Sequence, residues 1–597
     1  MSSMPQSPPD RVPRHCGTHS ERLAVSAPHS LVALLAERVA AQGSSVALTT
    51  PQASRLARAS AGPAASWTWQ ALASAALAQA ARLEAAGLTR GDRLAHRGPH
   101  AADWVVTDLA CLLAGIVHVP LHADMPIDQQ RQWCQWLGVQ AVVATGHATG
   151  RLPPMPCRVL DWRTGGREGL PTAASPLAAE QLARELESRV AACDSDAEAV
   201  ILFSSGTTGT GRAVVHSQRS LAANAAASAA VFLEEAADVR LAWLPLSHSL
   251  ARTGDLGTAL VRGACLAIVE DRTQVLEAAR EVSPTVILGV PAFFERVERA
   301  LVSGRIRDLP ARLGGRVRVC VSGGAPLRQR TAAAFAKAGV PLVEGYGLAE
   351  AGPVVSLASP RTWRAGTVGP PIAGVQVRCT AEGVVQVRSP GLALGVLEAG
   401  EQSRRPLTAD GWLTTGDRGS IEPDGHLKIA GRAGDVLVLA GGEKIPPADI
   451  EGSLGEDPAI AQVCLIGNGL RRPLAVIVPE PEVLREAVRQ LKLRVVSRGQ
   501  ALRHPQLLAW MARRVAWRQR HHPRSWQAGH LLLLGRSFSP QAGEVTASMK
   551  LRRHVIANQF SKETTAMTAL GSQGSRLPAG VATVPPAVSP QGSLTPA

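Results

Sequence analysis

The sequence predicts an α/β protein: a large N-terminal domain of helix-covered sheets, a small β subdomain within it, and a small C-terminal α+β domain. Length argues for the split, because 597 residues exceed what one compact core organises. Periodicity argues for the layers, since helical and strand patterns alternate as far as Val343 and imply a largely parallel, helix-covered sheet. A change of pattern argues for the subdomain: from Thr367 to Ile429, short strands alternate with Gly/Pro turns.

In chain order, residues 1–28 are polar, proline-rich and without an apolar signal core, and are expected to be disordered. The large domain is expected over 29–430. Within it Thr68 caps a predicted helix carrying Leu72, Leu77 and Leu83 as far as Gly87, and Asp92-Arg93-Leu94 opens a strand. Val375-Gln376-Val377-Arg378 and Val384-Val385-Gln386-Val387-Arg388 read as strands of the β subdomain. Gly431 to Asp435 marks the expected boundary, with the small domain over 431–560. Residues 561–597, rich in Ser, Thr, Pro, Gly and Ala, are expected to be a disordered tail.

Formal charge is +15, from 63 Lys and Arg against 48 Asp and Glu. A basic surface suits nucleic acid, anionic lipid or polyanionic small molecules. No nucleic-acid motif accompanies it. The densest basic stretch, Arg513-Arg514, Arg518, Arg520 and Arg524 among Trp510, Trp517 and Trp526, fits a membrane surface, the phosphates of a ligand, or a solvated helix face. Nine cysteines without a Cys-x-x-Cys pair suggest neither a zinc site nor a disulfide framework, and a reducing cytoplasm fits them. No run of about 18 apolar residues is present to cross a bilayer.

The most informative stretch is Ser204-Ser205-Gly206-Thr207-Thr208-Gly209-Thr210-Gly211-Arg212, set between the apolar Ala199-Val200-Ile201-Leu202-Phe203 and Val214-Val215. Glycines let backbone N–H groups turn toward an anion, hydroxyls add donors, and Arg212 adds a fixed charge: together, a phosphate cradle. Alone, such a stretch also fits a flexible surface loop. Ser322-Gly323-Gly324-Ala325-Pro326 and Glu344-Gly345-Tyr346-Gly347 follow strand-like runs, and make plausible walls of a purine pocket at the carboxyl ends of strands. Tyr346, the only tyrosine, is flanked by glycines that leave its ring face open to stacking. Glu350 offers a hard oxygen for a magnesium that bridges phosphates. Asp417, in Thr414-Thr415-Gly416-Asp417, suits both hydroxyls of a ribose, and equally a strand-connecting turn.

In this order the segments resemble the adenylate-forming superfamily of acyl-CoA synthetases, carrier-protein adenylation domains and luciferases, from about Ser30 to Phe560. Gly91-Asp92-Arg93-Leu94, Trp104 and Leu109-Ala110-Cys111-Leu112-Leu113-Ala114-Gly115 look like the family's first conserved stretch. Trp243-Leu244-Pro245-Leu246-Ser247-His248-Ser249-Leu250-Ala251-Arg252, Gly289-Val290-Pro291-Ala292-Phe293-Phe294 and Thr546-Ala547-Ser548-Met549-Lys550-Leu551-Arg552-Arg553 are similar to its long-chain fatty-acid branch.

The resemblance implies a two-step ligase. A fatty carboxylate attacks the α-phosphate of ATP, pyrophosphate leaves, and coenzyme A then takes the acyl group. It implies that Ser204 through Gly209 and Arg212 hold phosphates, that Thr207 and Glu350 bind Mg2+, and that Asp417 and Arg432 hold the ribose. Lys550, on a mobile C-terminal domain, reaches the reacting centre. His248 borders the acyl and thiol entrances, and Trp243, Val290 and Phe293 are candidates for the acyl pocket. The implied partners are small molecules, with no nucleic acid, in the cytoplasm, and with peripheral association at the inner face of the membrane.

The chain departs from the family pattern in four places: Arg212 replaces a lysine, Ala349 a threonine, Gly434 the usual Asp or Lys of the hinge, and Leu394-Gly395-Val396-Leu397 an aromatic pair. Three rival readings follow. Gly206-x-x-x-x-Gly211 has the spacing of a P-loop, although Arg212 and Ala213 stand where Lys and Ser/Thr would be needed. The acceptor could be a carrier protein, or the chain a weakened or non-catalytic adenylate-binding relative.

Overall fold

The computed structural model describes residues 29–54, 65–122, 125–145, 154–160, 177–204, 212–232, 235–398, 407–539, 541–546, 551–570 and 580–585. Among them an eight-stranded and a seven-stranded sheet form the body of the large domain. In the eight-stranded sheet Leu342–Gly347, Val319–Ser322, Val286–Gly289, Val239–Ala242, Cys265–Ile268 and Val46–Thr50 run parallel, with antiparallel Val354–Leu357 and Ala65–Thr68 at its edges. The seven-stranded sheet is parallel from Glu198–Ser204 through Val117–Leu121, Arg93–Arg97, Ala141–Ala144 and Arg158–Leu160, and its other edge is the antiparallel pair Arg212–Ser217 and Gly395–Leu397.

Local sequence explains the helices between them. Thr68 caps the helix Trp69–Ala85 by accepting the Ala71 N–H, as its position before the Leu72/Leu77/Leu83 stripe predicts. The neighbouring helix Ala102–Ala114 is mostly apolar, and Trp104 through Ala114 are all buried, Thr107 and Asp108 included. A helix buried on every side requires cover all round; it packs closely against Trp69–Ala85 and also touches Leu31–Gln42.

The predicted β subdomain is an antiparallel sheet of Gln376–Cys379, Val384–Arg388, Leu413–Ile421 and Leu427–Arg432. Beyond it the chain forms a smaller α+β unit, with strands Ile460–Ile466, Leu474–Pro479, His530–Leu533 and Val581–Thr583 beside the helices Pro447–Gly455, Pro481–Gln490 and Pro505–Arg518. Its apolar residues, from Leu437 to Val584, cluster apart from the core that runs from Leu31 to Ile372.

One expectation is corrected here. The tail from 561 is not structureless where it is described: Ser561–Leu570 is a helix, and Val581–Thr583 pairs with His530–Leu533. Composition misleads because Val581 and Val584 bury their side chains against the small domain's clusters, which fixes a segment whose local sequence is otherwise permissive.

The two units meet through polar contacts. Glu456 accepts the N–H groups of Gln329 and Arg330 at 2.7 and 3.1 Å, and so caps the helix Gln329–Lys337 of the large domain. Arg328 donates to the carbonyls of Ile460 and Ala461 while pairing with Glu295 at 3.2 Å.

Candidate active site

The site gathers where strands of the eight-stranded sheet, the β subdomain and the edge pair of the seven-stranded sheet converge. Leu342–Gly347 carries the wall Glu344-Gly345-Tyr346-Gly347 and lies beside Val319–Ser322, which leads into Gly323 and Gly324. Glycine is required at 347, because a Cβ there would sit 1.8 Å from the Pro353 carbonyl oxygen. Gly324 adopts φ +85° as the chain turns out of its strand, a region that disfavours other residues.

Tyr346 and Asp417, given separate roles by the sequence, are bonded to each other. The phenol donates to Asp417 Oδ2 at 2.6 Å, and Arg432 Nε pairs with Asp417 Oδ1 at 3.1 Å. Asp417 and Arg432 are cross-strand partners, so the sheet register sets that ion pair. Thr415 completes the arrangement: its hydroxyl accepts the Asp417 N–H at 3.0 Å, and its carbonyl accepts from Arg432 at 3.2 Å. Burial, reinforced by the Asp417 charge, pushes the Tyr346 phenol well above the usual tyrosine range, so it stays a proton donor.

Glu350 lies in the short 3-10 turn Ala349–Ala351, half-buried, and its carboxylate has no hydrogen-bond or ion-pair partner among the described residues. The turn is held from both sides. His216 Nε2 donates to the Ala349 carbonyl at 2.9 Å, and the Glu350 carbonyl accepts the Ala393 N–H at 3.0 Å. Burial drives the His216 pKa down to about 4, which keeps the ring neutral. Asn224 clamps the next strand, donating to the Val354 carbonyl and accepting its N–H.

His216 belongs to the strand Arg212–Ser217, so the Glu350 turn is tied to the strand that Arg212 begins. The Arg212 guanidinium itself pairs with Glu398 at 2.6 Å, both side chains being nearly half exposed. Glu398 follows from register: Leu397 pairs with Ala213, which sets the next residue opposite Arg212. The strand Glu198–Ser204 is antiparallel to Arg212–Ser217, with Ser204 opposite Arg212. A P-loop passes from strand into helix. This return into a strand removes that rival.

Ser205, Gly206, Thr207, Thr208, Gly209 and Lys550 lie outside the described residues, as does the side chain of Ser204.

Glu344, two residues before Tyr346, is half-buried and accepts the Leu327 N–H at 3.2 Å. Burial, with Glu456 of the small domain adding a like charge, pushes its carboxyl up to about 7. Sequence reading placed Glu344 in a pocket wall without foreseeing its titration, and it missed His122. His122 stacks on His248 with ring centroids 4.1 Å apart, and its Nδ1 meets the Ser247 hydroxyl at 2.7 Å. Burial, then the neighbouring His122, lowers the His248 pKa to about 3. The His248 turn is fixed from below: the Arg252 N–H donates to the His248 carbonyl, and its guanidinium grips buried Asp108 at 2.9 and 3.0 Å. Asp108 in turn accepts from His118 at 2.7 Å.

Trp243 is a core residue. It is buried, its indole N–H donates to the Leu288 carbonyl at 2.8 Å, and its ring lies 4.8 Å from that of Phe293. As a wall it could bound a pocket only from within this packing.

A family model described as AMP-binding enzyme matches residues 35–395, and one described as AMP-binding enzyme C-terminal domain matches 434–500. Among similar curated proteins, the long-chain-fatty-acid–CoA ligase FadD15 of Mycobacterium tuberculosis is 29% identical over 533 residues, 80% of this chain and 88% of that protein. Long-chain-fatty-acid–CoA ligase 1 of Schizosaccharomyces pombe is 25% identical over 568 residues, 82% of this chain and 83% of its own. Among solved structures, the anthranilate CoA ligase AuaEII with anthranoyl-AMP superposes with a TM-score of 0.69 at 20% identity, covering 89% of this chain and 97% of that one. ATP-bound MatB from Rhodopseudomonas palustris gives 0.67 at 20% identity, covering 90% and 99%. At that identity the structural likeness establishes the fold.

Proposed function

The chain belongs to the AMP-binding enzyme family, and on that premise we propose that it is an ATP-dependent long-chain fatty-acid–CoA ligase. The observation that carries the reading is convergence. Tyr346, Asp417 and Arg432 form one bonded unit, and His216 ties the Glu350 turn to the strand of Arg212, although these residues are spread over more than 200 positions of sequence. The long-chain specificity rests on curated relatives that bear that name and align over most of their length.

A fatty carboxylate is a poor acyl donor because its anion repels nucleophiles and oxide does not leave. Attack on the α-phosphorus of ATP releases pyrophosphate and gives an acyl-adenylate, from which the thiolate of coenzyme A displaces AMP. The protein's part is to bring two anions together and to aim fixed donors at developing charge. Asp417, oriented by Tyr346, Thr415 and Arg432, would accept the ribose hydroxyls. Arg212 would turn from Glu398 to the phosphates. The carboxylate of Glu350, a hard oxygen donor without a partner among the described residues, fits Mg2+; the ion would neutralise phosphate charge. We place Lys550 at the reacting centre, the hinge between Arg432 and Leu437, and the acyl entrance at the His122–His248 stack. The working location is the cytoplasm, with association at the membrane surface.

The test is product analysis. Purified protein with ATP, Mg2+, coenzyme A and a ladder of fatty acids should yield acyl-CoA, AMP and pyrophosphate, and Lys550→Ala should abolish pyrophosphate exchange. Absence of both thioester and acyl-adenylate with every acid would reject the reading.

A further inference from the structure

Between Glu486 and Glu544 the sequence contains no aspartate or glutamate, yet it holds ten arginines and one lysine, most of the chain's formal charge of +15. Folding neutralises part of this run. Asp457 accepts from Arg514 and Arg518 at 2.8 and 3.3 Å, and Glu486 pairs with Arg489 at 3.4 Å. The connection between the helices Pro481–Gln490 and Pro505–Arg518 is different. Lys492, Arg494, Arg498 and Arg503 are exposed there, and none has a carboxylate partner among the described residues.

In the middle of these cations stands Val496, 96% exposed. Its neighbours Leu493 and Val495 turn toward the small domain's core, while Arg494 and Val496 point out. An outward position in such an alternation is normally polar. On the adjoining helix Arg513 is exposed, and one turn further Trp517 is 39% exposed with Arg520 stacked 3.6 Å from its ring centroid.

We propose that this face of the small domain, centred on Val496, docks on the surface of an anionic phospholipid bilayer. Cations on long alkyl stems reach lipid phosphates while an apolar tip between them enters the headgroup boundary. Charge alone would equally suit nucleic acid. The projecting valine decides for lipid, because it has no hydrogen-bonding or stacking role toward a nucleic acid and gains only from leaving water. The charge and exposure stand by themselves; the use of such docking, to draw long-chain acids from the bilayer in which they dissolve, rests on the ligase reading.

The experiment measures partition of the full-length protein, without substrates, onto vesicles of phosphatidylcholine and onto vesicles that also contain phosphatidylglycerol. Binding is expected only to the anionic vesicles and should weaken with salt. Combined Lys492→Glu, Arg494→Glu and Arg498→Glu should lower partition about tenfold or more. Val496→Asp should lower it severalfold and Val496→Trp should raise it, with unchanged melting curves as the folding control. Lack of partition onto anionic vesicles, equal partition of all variants, or binding to duplex DNA with none to vesicles would overturn the proposal. Because no substrate is present, failure here is separable from failure of the thioester assay.

Discussion

Tyr346 donates its hydroxyl hydrogen to Asp417 at 2.6 Å across 71 residues of sequence, which makes the tyrosine ring and the carboxylate one rigid element. Arg432, on the other carboxylate oxygen, fixes the remaining rotation of Asp417. If Tyr346 stacks on the base and Asp417 accepts the ribose, as proposed above, both are set at a constant spacing before any nucleotide arrives, which lowers the ordering cost of binding.

That coupling ranks two substitutions. Asp417→Ala removes a charged acceptor and strands both Arg432 and the Tyr346 phenol, at a cost of roughly 1.5–3 kcal/mol, or about 10- to 100-fold in ATP affinity. Tyr346→Phe leaves Asp417 with Arg432 and Thr415, and should weaken ATP about fivefold or less. Calorimetric titration with a non-hydrolysable ATP analogue checks both the order and the sizes.

Arg212 is held by Glu398 at 2.6 Å, so in the proposed role a phosphate would compete with a carboxylate for it. Both side chains are nearly half exposed, and such pairs contribute little, about 1 kcal/mol at most. Glu398→Gln should therefore tighten ATP by up to about fivefold. Arg212→Gln should slow pyrophosphate exchange far more than it alters protein stability. Weaker ATP binding in Glu398→Gln would mean that the carboxylate orients the arginine.

Four histidines make the large domain sensitive to acid. Burial lowers the pKa of His100 and His216 to about 4 and of His248 to about 3, and lowers that of His96 well below its usual value. In the unfolded chain these groups take up protons near pH 6.5, whereas the folded protein does not, so stability falls as pH drops below that value. Glu344, pushed up to about 7 by burial, acts the other way. Its contribution is fully present below pH 4.5 and is lost as pH rises toward 7. Four groups outweigh one, and urea midpoints should fall between pH 7 and 5 by an amount equivalent to a few kcal/mol, on the order of 1.4 kcal/mol per pH unit for each net proton. Glu344→Gln should steepen that fall.

Much of the site was legible because its chemistry sits in local sequence. Glycine turns after strand-like runs, Thr414-Thr415-Gly416-Asp417 and the cap at Thr68 each state their local geometry. What stayed hidden depends on register and long-range packing. The Tyr346 to Asp417 bond needs strands from two sheets. Glu398 faces Arg212 only because Gly395–Leu397 pairs with Arg212–Ser217. His122 meets His248 from another sheet, and Glu344 titrates near neutrality because of burial and a residue of the small domain. Residues 580–585 show the converse, a permissive composition overridden by two buried valines.

Arg553 joins the expected hinge to the segment that carries Lys550. Its guanidinium grips both oxygens of Asp435 at 2.7 and 2.8 Å, reaches Glu451 on two atoms, and donates to the Leu465 carbonyl at 2.6 Å. Burial opposes its charge, but the carboxylates of Glu451 and Asp435 outweigh burial and hold its pKa well above the usual value. On the other side of the segment, Val545 bridges to Leu551 and the Arg552 N–H donates to Glu544, whose buried carboxylate is gripped by Arg536. Two anchors thus fix where the chain leaves for Lys550 and where it returns. Arg553→Met would leave two carboxylates facing each other without a counter-charge, and should destabilise the small domain by about 3–5 kcal/mol. Asp435→Asn, at a position that is 35% exposed, should cost much less. If Arg553 positions Lys550 as well as supporting the fold, Arg553→Lys, which keeps the charge and loses the fork, should lower the kcat of pyrophosphate exchange while leaving the KM for ATP unchanged. Equal loss in both parameters would confine Arg553 to stability.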